Sequence, residues 1–388
     1  MDRTVMTEVK TEKRTIIKRI IAVGLMVFMV AGYVHLASKY YLRGMDNAVV
    51  RLDGFYEEDD NSLDVIILGS SEIYQGFSSA DAYGQYGFTG YPFAFETNPV
   101  SLWKYEVKEI LKSQSPQLIV VEINGVVYDE KLLHKPSAIR YLSDAMPFSQ
   151  NKVDLVENMG IDSAISYYFP IVKYHENIRV RDIRPLVRLT TEGHLTLRGA
   201  FSHSFIKEMG EEMELKGGET IDLHPEAEEY LREFLDICGE PGMPNFLFVR
   251  FPHQTVDEKT FNRYARYNRA AEIIKEYGFE YVDLDTHREE IGLIKDADWY
   301  DGEHLNARGM KKLTKFFGNM LVEEYGVQKS KLTPKQEEEW DESARYMNIF
   351  YEYFETFYEE NHEKKEEGNN MWDNIHTIKA IKNLLVEG

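Results

Sequence analysis

Cysteine is nearly absent: one residue, Cys238, in a chain of 388 residues rules out an internal disulfide and the thiol companions of a cysteine-rich zinc site. Basic charge is also scarce. Against 66 Asp and Glu stand 45 Lys and Arg, a formal net charge of -21, so no basic stripe is available to neutralise phosphates and nucleic acid is excluded as a partner. No motif asks for a metal or an organic cofactor, and none is expected. Long apolar runs are limited to one, near the N-terminus. What remains is a chain with 43% hydrophobic residues, enough for one large or two smaller cores and incompatible with disorder throughout.

The apolar run covers residues 20–37 (IIAVGLMVFMVAGYVHLA). As a helix rising about 1.5 Å per residue it would measure roughly 27 Å, close to the thickness of a bilayer's hydrocarbon. Lys10, Lys13, Arg14, Lys18 and Arg19 precede it, and the positive-inside rule then places residues 1–19 in the cytoplasm, a membrane anchor at 20–38 and the bulk outside. Tyr33, Tyr40 and Tyr41 suit the far interface. A cleaved signal peptide is the rival reading, but the small-x-small site it needs is missing, since His35-Leu36-Ala37 starts with a poor residue, and no cysteine offers a lipidation site. A buried core helix fits poorly with the basic flank. The scarcity of cysteine is consistent with an external location.

Beyond an acidic linker at 57–61, short β-branched and aromatic runs alternate with helical periodicity. Strands are expected at 63–68, 91–95, 118–123, 246–251 and 279–284, and helices at 101–112, 257–277 and 307–325. Such alternation specifies an α/β fold with a mainly parallel five-stranded sheet, spanning residues 60–326. The rhythm lapses at about 129–240, read as an inserted cap that contains amphipathic pieces at 152–159 and 225–237, the aromatic cluster at 167–170 and a Gly-Gly patch at Gly217. A helical extension, 333–388, opens with Thr333-Pro334 and repeats apolar residues at Trp340, Met347, Phe350, Phe354 and Phe357; packing back onto the domain is expected over a partner-binding coiled coil.

A parallel sheet brings the C-terminal ends of its strands to one edge, where ligands bind. Three sets of residues reach that edge. Gly69-Ser70-Ser71 follows the first strand, Asn124-Gly125 follows another, and Asp301-Gly302-Glu303-His304 lies between the fifth strand and the last helix of the unit. Alone, each reads plainly: a serine cap, a turn asparagine, a loop ion pair ahead of a helix capped at Asn306. Together they supply a hydroxyl, a base and an acid that orients the base, the parts a serine nucleophile needs. Glu72 and Glu303 are read as solvated loop carboxylates.

This set resembles the SGNH (GDSL-like) esterase and acyltransferase superfamily, with Gly69-Ser70-Ser71 in place of the Gly-Asp-Ser block, Asn124 as the later asparagine and Asp301-x-x-His304-Leu-Asn-x-x-Gly309 as the acid and base block. The resemblance implies a three-layer flavodoxin-like fold with Ser71 as nucleophile, His304 as base and Asp301 as orienter. It implies an oxyanion hole formed by the Ser71 N–H and the Asn124 side chain. The family's block-II glycine has no counterpart between Tyr91 and Leu102, where Glu96-Thr97-Asn98 stands instead, and the backbone N–H of Thr97 or Asn98 would have to serve. Membrane-anchored relatives with Gly-Ser-Ser include D-alanine transfer proteins and partners of membrane-bound O-acyltransferases. By that likeness, the chain would be an external, tethered esterase or acyltransferase acting on an acylated glycan or teichoic-acid-like polymer. The alternatives are a non-catalytic accessory protein docked to a membrane-bound O-acyltransferase, or a plain α/β binding protein.

Overall fold

Four runs buried on both pleat faces, and a fifth, half-buried one at the edge, form the centre of the molecule, a pattern required of strands covered on two sides. The computed structural model describes residues 3–43, 47–161, 163–176, 197–202, 206, 211, 218–254 and 257–361; side chains are described from residue 13 of the first helix to 37, and again up to 356. The strands are β1 Val65–Gly69, β2 Gly90–Ala94, β3 Leu118–Glu122, β4 Asn245–Arg250 and β5 Glu280–Asp283. All pair in parallel in the order β2-β1-β3-β4-β5. The sheet is therefore wholly parallel, with the doubly wound order that reverses direction between β1 and β3.

Helices cover both faces. They are α1 Arg3–Arg43, α2 Asn47–Phe55, α3 Ser71–Gly76, α4 Ser79–Tyr86, α5 Val100–Ser113, α6 Pro136–Ala145, α7 Pro225–Cys238, α8 Glu258–Glu276, α9 Ala307–Glu323 and α10 Pro334–Asn361, with a nine-residue helix Gln150–Asn158 after α6 and several single turns between. On one face Ile66, Leu68, Ile119 and Val121 pack with Trp103, Val107 and Ile110 of α5, Leu231 and Phe234 of α7, and Tyr267 and Ile274 of α8. On the other, Val65, Ile67 and Val120 meet Leu313, Phe317 and Leu321 of α9 and Ile73 of α3.

Two stretches depart from expectation. The stretch at 57–61 is no free linker: Glu58 is buried and accepts two 2.7 Å bonds from buried Arg198, whose guanidinium stacks over Trp340 and donates to Ser343. Ahead of it, α2 sinks Ala48, Leu52 and Phe55 into the core, so packing starts before residue 60. The helix α7, read as part of the cap, instead packs beside α5 as a sheet-covering helix that leads directly into β4. Met347, Phe350 and Phe354 of α10 lie against Ala80 and Met310. The Gly217 position and the tail past Asn361 fall outside the described residues, as do the side chains of Tyr40, Tyr41 and Phe357.

The N-terminal helix runs farther than its apolar stretch because no breaker separates that stretch from the basic residues before it. Its segment Lys13–Ala37 is long and apolar enough to cross a membrane.

Candidate active site

The two serines after β1 divide the work. Ser70 caps α3, its hydroxyl accepting from the Glu72 N–H at 3.4 Å, while its own N–H donates to Glu122 Oε2 at 3.0 Å. Ser71, the first helical residue, is left with its hydroxyl free to face outward along the sheet edge. Gly69 makes this possible: a Cβ there would lie 2.7 Å from the Cβ of Glu122, so only glycine lets β1 end so close to β3.

The loop that brings the base is folded on itself. Trp299 and Leu305 form an antiparallel bridge, and Asp301 Oδ1 accepts from the N–H groups of Glu303 and His304 at 2.8 and 2.9 Å. Asn306 then caps α9 by accepting from the N–H groups of Arg308 and Gly309. This geometry turns His304 toward β1. Its Nε2 lies 2.7 Å from Ser71 Oγ, and its Nδ1 lies 2.9 and 3.0 Å from the two oxygens of Asp301. An ionised carboxylate only accepts, so Nδ1 carries the proton and Nε2 accepts from the Ser71 hydroxyl.

Electrostatics sharpen these roles. Burial opposes charge on His304, yet the hydrogen bond and charge of Asp301 outweigh it and raise the imidazole above its ordinary value. Burial also opposes ionisation of Asp301, but His304 and the two backbone N–H groups hold the carboxyl below its usual range.

Asn124 and Thr97 reach the same edge by different means. Asn124 Oδ1 accepts from the Tyr267 hydroxyl at 2.7 Å, and its amide nitrogen donates to Glu72 Oε1 and, at 3.4 Å, to Ser70 Oγ. Its amide hydrogens are thus engaged beneath the nucleophile. Thr97 has a left-handed φ of 56°, strained for a β-branched residue and the conformation that a glycine would adopt freely. The turn it occupies is tied to the nucleophile loop: the Asn98 side-chain amide and the Phe95 N–H both donate to the Gly69 carbonyl, at 3.1 and 3.3 Å. Lys135 Nζ donates to the Thr97 hydroxyl at 3.1 Å.

Beneath the triplet lies a polar layer that the sequence reading did not anticipate. Glu72 is not a solvated carboxylate: it is 3% exposed, bonded to Asn124 on one oxygen and to His253 Nε2 on the other. Burial and then the charge of Glu303 push its carboxyl up to about 8, with His304, Arg263 and Arg250 opposing. His253 is pulled down to about 3 by burial and by Arg250 and Arg263. At neutral pH the consistent arrangement is a protonated Glu72 donating to neutral His253 and accepting from Asn124. Glu122, also buried, is raised by burial and by Glu72. Glu303 keeps a 2.5 Å ion pair with Arg263. A signal for His253 existed, because it follows the β4 run at the same edge as the residues singled out after the other strands.

Neither family models nor curated proteins match this chain. Among the described residues no group of His, Cys, Asp and Glu is arranged to hold a metal ion.

Proposed function

We propose that this protein is a membrane-anchored serine esterase or acyltransferase of the SGNH type, its α/β domain outside the cytoplasmic membrane, acting on O-acyl groups of a cell-envelope polymer or exported glycan. The observation that carries the reading is the continuous chain Ser71 Oγ to His304 Nε2 at 2.7 Å and His304 Nδ1 to Asp301 at 2.9 Å, at the sheet's switch point. In the reaction, His304 takes the Ser71 proton as Oγ bonds to the acyl carbon. The C–O bond to the departing alcohol then breaks, with His304 returning the proton to that oxygen and acyl-Ser71 left behind. Water or an acceptor hydroxyl reverses the sequence. On this reading the Ser71 N–H and a peptide N–H of the strained 97–98 turn would receive the oxyanion; each such donor is worth about 3 kcal/mol in comparable sites.

The basic residues before the apolar helix support a cytoplasmic start. A second reading, an accessory protein docked to a membrane-bound O-acyltransferase, is favoured by one observation: the Asn124 amide is directed at Glu72 and Ser70, so the oxyanion hole would lack that donor until it turns. Acid-quenched incubation of the full chain with an activated acetyl ester, followed by peptide mass spectrometry, separates the two. An acetyl group on Ser71 that disappears in His304→Ala supports the enzyme. A folded protein that never acquires one supports the accessory role.

A further inference from the structure

Outside α1, large apolar side chains that face solvent are few, and they are not scattered. Of the five among the described residues, Phe148 (69% exposed), Ile165 (53%), Phe169 (47%) and Val172 (46%) fall within one stretch of the cap, and Ile294 (56%) stands apart. The four belong together. Phe148 packs edge-on against Tyr168, with ring centroids 6.1 Å apart, and Tyr168 ends the turn Ile165–Tyr168, which adjoins the turn Ile171–Tyr174. Such clusters on a water-soluble surface mark a place that something covers.

What covers it follows from its neighbour. The turn Ile171–Tyr174 packs against α1. Among the α1 side chains described, 13–37, only Ala37 is buried, so the contact lies at the C-terminal end of the apolar span, where a membrane-crossing helix leaves the hydrocarbon. A surface fixed at that level beside the helix lies at the bilayer interface, the depth at which apolar side chains flanked by Tyr and Lys are stable. Tyr168, Tyr174 and exposed Lys173 provide that flank. We propose that Phe148, Ile165, Phe169 and Val172 form a second membrane contact, dipping into the outer interface of the bilayer that α1 crosses; this rests on the anchor reading of α1.

The contact has a consequence for the candidate site. Arg140 of α6 stacks 3.8 Å over Tyr167 and donates to Ser166, while Lys135, just before α6, donates to Thr97. The first turn and a half of α6, about 7.5 Å from Lys135 to Arg140 at about 1.5 Å per residue, thus links the interfacial patch to the turn beside Ser71. The site is held at a short, fixed distance from the lipid surface, suited to a lipid-linked donor or a membrane-embedded partner.

Spin labels on the full chain in lipid nanodiscs test this. Buried Cys238, whose thiol burial pushes up, leaves the unsubstituted chain unlabelled as a control. Labels go on Phe169→Cys, Val172→Cys, Ile294→Cys and Val27→Cys, each replacing an exposed side chain. Dissolved oxygen should relax the labels at 169, 172 and 27 more than a water-soluble nickel chelate does, with the order reversed at 294. If 169 and 172 follow 294 while 27 keeps its preference for oxygen, the patch lies in water and the proposal is overturned. Exclusion of both reagents at 169 and 172 would mean a protein face covers them, which overturns it equally. A preference for the nickel chelate at 27 would remove the anchor, and this proposal with it.

Discussion

Asp301→Asn exchanges one carboxylate oxygen for an NH2 group and should nearly silence the site. Asp301 Oδ1 accepts both backbone N–H groups of its loop, at 2.8 and 2.9 Å, and the substituted amide must keep its oxygen there to satisfy them. Its NH2 then takes the place of Oδ2, 3.0 Å from His304 Nδ1; a proton kept on Nδ1 could reach the retained oxygen at 2.9 Å only by also facing an amide hydrogen, so the NH2 donates to a bare Nδ1 instead. Nδ1 becomes an acceptor and the ring's single proton moves to Nε2, which now points an N–H at Ser71 Oγ and cannot receive its proton. Where the same tautomer inversion occurs in a serine triad the rate falls about ten-thousand-fold, close to 5.5 kcal/mol of barrier. The assay is the second-order rate constant for modification by a fluorophosphonate, with circular dichroism to confirm folding. Asp301→Ala should lose less, because its imidazole is free to choose the tautomer. A rate for Asp301→Asn within about tenfold of the parent, some 1.4 kcal/mol, would refute the argument.

Three further outcomes follow from the same geometry. His304 acts only when neutral and its value is raised, so modification should fall with decreasing pH around a midpoint above about 6.5, and Asp301→Ala should move that midpoint down. Glu72 titrates near 4.3 when unfolded and about 8 when folded, so the native state holds an extra proton in that window; the associated stability is complete below it and lost as pH rises through it. Urea denaturation at pH 5 and pH 8 should show the parent losing stability relative to Glu72→Gln as pH rises, a comparison that cancels the contributions of Glu122 and His253 shared by both chains; the variant's neutral amide can still accept from Asn124 and donate to His253. Arg198→Met strips two 2.7 Å bonds from buried Glu58 and should cost about 3 to 5 kcal/mol in chemical denaturation, with Glu58→Gln in the same chain restoring part of it.

The strands β1 to β4 were legible because they are buried on both faces and rich in apolar residues, β5 from its place after a helix despite being only half-buried, and their observed limits differ from expectation by two residues at most. Helices α5, α8 and α9 carried clear periodicity. Helix α3 did not: six residues beginning inside Gly-Ser-Ser-Glu contain too few turns to show a period, so Glu72 looked solvated when the helix turns it under the sheet edge. Pairings across long sequence separations left no trace either. His253 and Glu72 are 181 residues apart, Arg198 and Glu58 are 140 apart, and no local spacing marks such partners. The Ser71, Asp301 and His304 set was readable for the opposite reason, since acid and base share one four-residue segment just ahead of the last helix and the serine directly follows a parallel strand.

The most direct test of the account is to treat the full chain in nanodiscs with a fluorophosphonate and map the modified residue. The account predicts a single adduct on Ser71, lost in Ser71→Ala and in His304→Ala with folding intact. An adduct on any other serine while Ser71 stays unmodified, or equal labelling of Ser71 in His304→Ala, would contradict it.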